Sequence, residues 1–144
     1  MAESIRAVLD TNIFVSAALS KNPSSPTREI IERWEELEFT LLICTPLAEE
    51  IAEKLIHHSI DESLISALVE SLAQLAEWVE ISSEKVEDLL SDPDDNIVVA
   101  CAVEGKANYL VTYDPHFDTL NGEYQGITIL KAIPFLRVLR QINN

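Results

Sequence analysis

The sequence predicts an α/β fold in three layers, a mostly parallel central sheet of about five strands flanked by helices. Three observations carry this. Short apolar runs of strand formers alternate along the chain with segments of helical periodicity, as βαβ units require. Two of those runs stop at an aspartate, Asp10 and Asp114, and chemistry gathers beyond the carboxyl ends of parallel strands. The composition, 144 residues of which 47% are hydrophobic with only 3 Gly and 6 Pro, is that of one folded domain spanning 1–144.

The elements follow in order. A buried strand is expected over 5–9, ending at Asp10, and then an apolar stretch over 13–19. The cluster Pro23-Ser24-Ser25-Pro26 breaks the chain and caps a helix whose Ile30, Ile31, Trp34 and Leu37 recur at helical spacing. A strand over 39–44 leads directly into Thr45-Pro46, which opens a helix burying Leu47, Ile51 and Leu55. The segment 61–78 repeats that pattern with Leu64, Ile65, Leu68, Leu72 and Leu75, making an acidic helical hairpin. A short strand is expected over 79–82, a carboxylate-rich loop over 88–96, and a nearly all-apolar helix over 96–104 that Gly105 ends in a left-handed stop. Strands over 109–112 and 127–130 and a terminal helix over 133–141 complete the chain.

Charge narrows the function. Ten Lys and Arg against 25 Asp and Glu give a net charge of −15, which repels polyanions and like-charged membranes. A phosphodiester substrate has to be admitted by bound cations, a local basic patch or a partner chain. Cys44 and Cys101 lie in apolar runs without zinc spacing and read as buried thiols. No run approaches the ~20 apolar residues of a membrane span, and nothing at the N-terminus reads as a leader, so no membrane partner and a cytoplasmic location are expected.

The informative acids are four. Asp10 and Asp114 close strands, Glu50 lies one turn into a helix that follows a strand, and Asp95 sits at the edge of the buried helix. All four can converge on one rim of the sheet, where their mutual repulsion is tolerable only with shared protons or hard cations among them. An oxygen-only set points to Mg²⁺ or Mn²⁺, and to two-cation displacement at phosphorus. Each acid also has an ordinary reading: Asp10 or Asp114 as a turn former, Glu50 as a solvated charge beside Glu49 and Glu53, one of Asp92, Asp94 or Asp95 as a helix cap.

Val8-Leu9-Asp10-Thr11-Asn12, Ala48-Glu49-Glu50-Ile51-Ala52, Asp92-Pro93-Asp94-Asp95-Asn96 and Leu110-Val111-Thr112-Tyr113-Asp114 resemble the ordered landmarks of the PIN-domain nucleases, most of all the toxins of bacterial toxin–antitoxin pairs. The resemblance implies a PIN-like fold and a metal-dependent endoribonuclease acting on RNA, held silent by a cognate antitoxin. It places Asp10, Glu50, Asp95 and Asp114 in the acidic quartet, catalytic and metal-holding, with Thr11, Asn12 and Thr112 orienting water or substrate. Glu49 competes with Glu50 and Asp94 with Asp95, and Asp94 or Asp118 can add an outer contact.

Arg137 and Arg140, three apart on the basic terminal helix, are the candidates for RNA backbone contact, or else complement the helix dipole. Arg28, Arg33 and Lys21 offer a second, weaker patch. His57, His58 and His116 are set aside as ligands. Trp34, Trp78 and the Leu64-Leu68-Leu72-Leu75 stripe read as core or as a homodimer face. Two other readings stand beside the nuclease: a non-catalytic PIN-like module binding RNA or protein, and a phosphoacceptor receiver domain, which Thr112 and Lys131 imitate but which lacks the paired acids after its first strand.

Overall fold

The computed structural model describes residues 4–142. Its strands are β1 (Arg6–Leu9), β2 (Thr40–Ile43), β3 (Glu77–Trp78), β4 (Tyr109–Val111), β5 (Glu123–Tyr124) and β6 (Ile127–Leu130). They form one sheet in the order β3-β2-β1-β4-β6-β5, parallel throughout except for β5. The helices are α1 (Thr11–Leu19), α2 (Pro26–Glu35), α3 (Thr45–His57), α4 (Glu62–Leu75), α5 (Pro93–Glu104) and α6 (Ala132–Ile142). Short 3₁₀ turns occupy Ser83–Lys85 and Pro115–Leu120.

The central strands are apolar on both faces because helices cover both. Ala7, Val8 and Leu9 of β1 and Leu41 and Leu42 of β2 are wholly buried, the condition under which a parallel strand loses its alternation. Trp34 of α2 is wholly buried, and Phe135 of α6 meets Phe39 edge-on at 5.3 Å and Tyr109 at 5.6 Å. Cys44 and Cys101 are buried free thiols, and a hydrogen bond with Cys44, reinforced by burial, pushes the Cys101 thiol up. No helix of the described residues is long and apolar enough to cross a membrane.

Several boundaries differ from expectation. The third strand is not at 79–82 but at Glu77–Trp78, because α4 ends at Leu75 and the chain pairs at once with β2, Val79 N–H donating to Ile43 O at 2.7 Å. Trp78 is consequently not a core residue: it is 44% exposed, its indole N–H donating to Leu72 O at 3.1 Å. The Leu64 stripe is graded rather than uniform, Leu72 buried and Leu64 exposed. The sheet has six strands, the extra one being β5, turned onto β6 by Gln125 and Gly126 at φ 49° and 83°.

Two further differences bear on the site. The helix expected from 96 begins at Pro93, because Asp92 caps it and proline fits its first position, so Asp94 and Asp95 stand in its first turn rather than in a loop. Gly105 is not left-handed. Its φ is −82°, and Lys106 takes the left-handed conformation at 55°. Glycine is needed there for space: a Cβ would lie 2.9 Å from both Cys101 O and Leu42 Cδ1.

Candidate functional site

The strand order reverses at β1, with β2 and β3 to one side and β4 and β6 to the other. That leaves a crevice beyond the carboxyl ends of β1 and β4, where ligands of open α/β sheets bind. The same order excludes the receiver reading, whose sheet runs 2-1-3-4-5.

Asp10 is fixed at the crevice by its own following turn and by the end of β4. Its N–H donates to Val111 O at 2.9 Å, carrying the ladder one residue past β1. Its Oδ1 accepts from Thr11 N–H at 2.8 Å and its Oδ2 from the Thr112 hydroxyl at 2.7 Å. The Thr112 oxygen in turn accepts from Asp114 N–H at 3.0 Å, tying the second aspartate to the first. Asn12 reaches Asp10 Oδ2 with its amide at 3.4 Å and accepts from Tyr113 N–H at 3.1 Å. Thr11 makes no well-formed hydrogen bond through its hydroxyl, but lies near enough to Glu50 to hold that carboxyl down against burial.

Helix direction brings in the rest. α5 precedes β4 and α3 follows β2, so both helices start at the carboxyl edge of the sheet. Asp95, in the first turn of α5, is buried; Asp94 beside it is exposed. Oxygens of Asp10, Asp95 and Asp114 lie within 4.8 Å of one another. Glu50 is half-buried next to this group, in a cleft lined by Pro46, Glu49, Glu53, Asp94 and Ile97, close enough to feel Asp10 and Asp94. Glu49 is exposed on the same cleft. Asp118, on the turn after Asp114, is exposed and joins no ligand group among the described residues.

The electrostatics have one sign. Burial pushes the Asp10 carboxyl up, Thr112 and Thr11 oppose it, and Asp95 and Asp114 add to it. Asp95 is raised by burial, opposed by a hydrogen bond with His116 and reinforced by Asp114 and Asp92. Glu50 is raised chiefly by burial too. No Lys or Arg pairs with any of these among the described residues. A set of hard oxygens with that charge density fits Mg²⁺ or Mn²⁺, which Asp10, Asp95 and Asp114 could hold with Glu50 at the margin.

His116 is the residue that sequence reasoning passed over. Its Nδ1 lies 2.9 Å from Asp95 Oδ2 and 3.4 Å from Asp114 Oδ1, and the hydrogen bond with Asp95 pushes its own pKa up. The signal available was a repeated device. Asp92-Pro93 and Asp114-Pro115 each cap a helical turn, and His116 follows the second of these aspartates by two residues. The basic pair lies elsewhere. α6 leaves the carboxyl edge after β6 and runs toward the opposite one, and Arg140 is committed to Glu29 at 2.7 and 3.1 Å, while Arg137 is exposed.

A family model described as PIN domain matches residues 6–116, more than half of the chain. No curated protein matches. Among solved structures, the chain is similar to one in the crystal structure of VapBC2 from Rickettsia felis bound to a DNA fragment from their promoter. The TM-score is 0.60 at 15% identity, over 88% of this chain and 98% of that one.

Proposed function

The chain belongs to the PIN-domain family, and from that premise we propose that it is a Mg²⁺- or Mn²⁺-dependent endoribonuclease, the toxin of a toxin–antitoxin pair. The observation that carries this reading is the meeting of Asp10, Asp95 and Asp114, from three distant stretches of chain, within 4.8 Å. Bound divalent ions supply charge that steadies the phosphoryl oxygens and eases loss of a proton from the attacking water. The chain's own residues do the positioning. Asp10 is locked by Thr112 and Thr11, so its oxygens are aimed before any ion arrives. Asn12 and Thr112 stitch the ends of β1 and β4 together, and Glu50 stands where it can turn a water or a phosphate oxygen.

The net charge of −15 makes cations the means of admitting RNA, since no Lys or Arg pairs with the site's acids among the described residues and His116 is engaged with Asp95 and Asp114. It also assigns any contact with promoter DNA to a partner. We place the cognate antitoxin and a second copy of the chain as protein partners, and the cytoplasm as the location. A groove lined by Phe14, Ala17, Ile31, Leu55, Leu64 and Leu68 offers an apolar seat to the first.

The deciding experiment is incubation of purified protein with a mixed RNA pool, with Mg²⁺ or Mn²⁺, with chelator, and with Asp10→Asn in parallel. Cleavage is expected only with the cation, and to fall by about 10³-fold in the variant, the rate equivalent of several kcal/mol of lost charge stabilisation. Equal cleavage by D10N overturns the assignment.

A further inference from the structure

We propose that Lys131 grips the RNA backbone, its ammonium pairing with a phosphate next to the scissile one, so that the strand leaves the three-aspartate group across the β6 flank and not over Glu50. The proposal deepens the reading above and rests on it for the identity of the polyanion. The placing of Lys131 does not depend on it.

Asp10, Thr112 and Lys131 are each the first residue after a strand, β1, β4 and β6. The ladder runs on through them. Asp10 N–H donates to Val111 O at 2.9 Å and Thr112 N–H to Leu130 O at 3.0 Å, which in parallel pairing sets Asp10 opposite Thr112 and Thr112 opposite Lys131. The registers of Leu9 with Val111 and of Val111 with Leu130 agree. Residues so paired leave the sheet on one face, the face on which the Thr112 hydroxyl meets Asp10 Oδ2. Two strand spacings put the Lys131 backbone about 10 Å from that of Asp10, a gap that a four-carbon stem and one nucleotide can bridge. The ammonium is also uncommitted. Lys131 is exposed and has no ion pair or side-chain hydrogen bond among the described residues, and Asp118, the one acid of the neighbouring Pro115–Leu120 turn, does not pair with it. Arg6, Arg33 and Arg140, by contrast, all hold acids.

The two flanks of the aspartate group then differ in sign. On the β2 side the cleft is walled by Glu49, Glu50, Glu53 and Asp94. The cation there is Lys54, one turn along α3, and Glu50 already feels its charge. On the β6 side stands Lys131, so a phosphate meets an unspent positive charge on that side alone. Arg137 and Arg140 do not compete, since α6 carries them toward the opposite edge and Arg140 is tied to Glu29. The rival account is that Lys131 acts only through the net charge of the chain. It predicts that removing any exposed lysine has the same effect.

The test is binding of a fluorescent single-stranded RNA of mixed sequence, read by anisotropy in Mg²⁺ at several salt concentrations, with all variants made in the Asp10→Asn background to slow cutting. Lys131→Gln should weaken binding about tenfold and lower the slope of log affinity against log salt by about 0.7, one phosphate contact on a single strand. Lys131→Arg should restore both. Lys106→Gln makes the same change in net charge at the other edge of the sheet, before β4, and should stay within about twofold of its parent. With Asp10 intact, K131Q should raise KM for cleavage and leave kcat within about threefold. Equal binding by K131Q and K106Q, an unchanged salt slope, or no RNA binding at all overturns the proposal. Cleavage with an unaltered KM in K131Q sinks the grip alone. Binding that depends on Lys131 in a chain that cuts no RNA sinks the nuclease alone.

Discussion

Acidic side chains meet opposite fates at the two edges of the sheet. Where the strands begin, and along the seam of α2 with α6, three acids, Glu77, Glu29 and Glu38, are held by arginines. Arg6 grips Glu77 while donating to Gly105 O at 2.8 Å, Arg33 holds Glu29 at 2.9 Å and Glu38 at 2.7 Å, and Arg140 takes Glu29 from the other side. The hydrogen bonds from these arginines hold Glu29 and Glu77 below the ordinary carboxylate range. Where the strands end, burial pushes Asp10, Asp95 and Glu50 above it, with no arginine in contact. The first arrangement stabilises the fold as it stands. The second opposes folding until a cation arrives, which is how a binding site differs from a structural ion pair.

That contrast can be broken or sharpened by measurement. The largest effect expected on stability comes from metal. Mg²⁺ at about one hundred times its dissociation constant stabilises by about 2.7 kcal/mol, or roughly 8 °C in melting temperature for a chain of this size. Chelator should reverse the shift and Asp10→Asn should abolish most of it; a wild type indifferent to Mg²⁺ would erase the difference between the edges. Next comes Thr112, whose hydroxyl serves Asp10 and Asp114 N–H together. Thr112→Val should cost about 1–2 kcal/mol in denaturant unfolding and about tenfold in RNA cleavage, with Thr112→Ser restoring both.

Smaller effects read the sign of the shifts. A carboxylate raised in the fold contributes stability below its unfolded value, near 4, and that contribution is lost as pH rises through the raised value. The metal-free D10N variant should therefore melt about 3 °C above wild type at neutral pH, and this advantage should vanish toward pH ~4. Glu29 runs the other way. Its lowered value contributes stability above about 4.3 and loses it in acid, so Glu29→Gln should lower the neutral melting temperature by about 2 °C, have no effect in strong acid and leave cleavage unchanged.

The parallel core is legible in the sequence because strands buried on both faces announce themselves as unbroken apolar runs, and residues that close them, such as Asp10 and Asp114, must stand on one edge. The direction of α5 and α3 follows from the same alternation. What the sequence hides is short or remote. β5 is two residues long and leaves no periodicity, and β3 is set by its register with Leu42 and Ile43 rather than by its own composition. The start of α5 hinges on reading Asp92-Pro93 as cap and first turn, a local signal that a crowd of neighbouring carboxylates obscures. The contact between His116 and Asp95 spans 21 positions. A lone histidine after Asp-Pro carries no pattern that tells it from an ordinary turn residue.

Both margins of the sheet are two-residue strands, Glu77–Trp78 on one side and Glu123–Tyr124 on the other. Stubs that brief expose too few free amides and carbonyls to template an incoming strand, and each carries a glutamate against it. Fibril-like stacking is thereby discouraged, and lateral union of two copies through a continuous ribbon is closed off. Assembly through the sheet's edges is thereby disfavoured relative to assembly through the helices and loops that cover it.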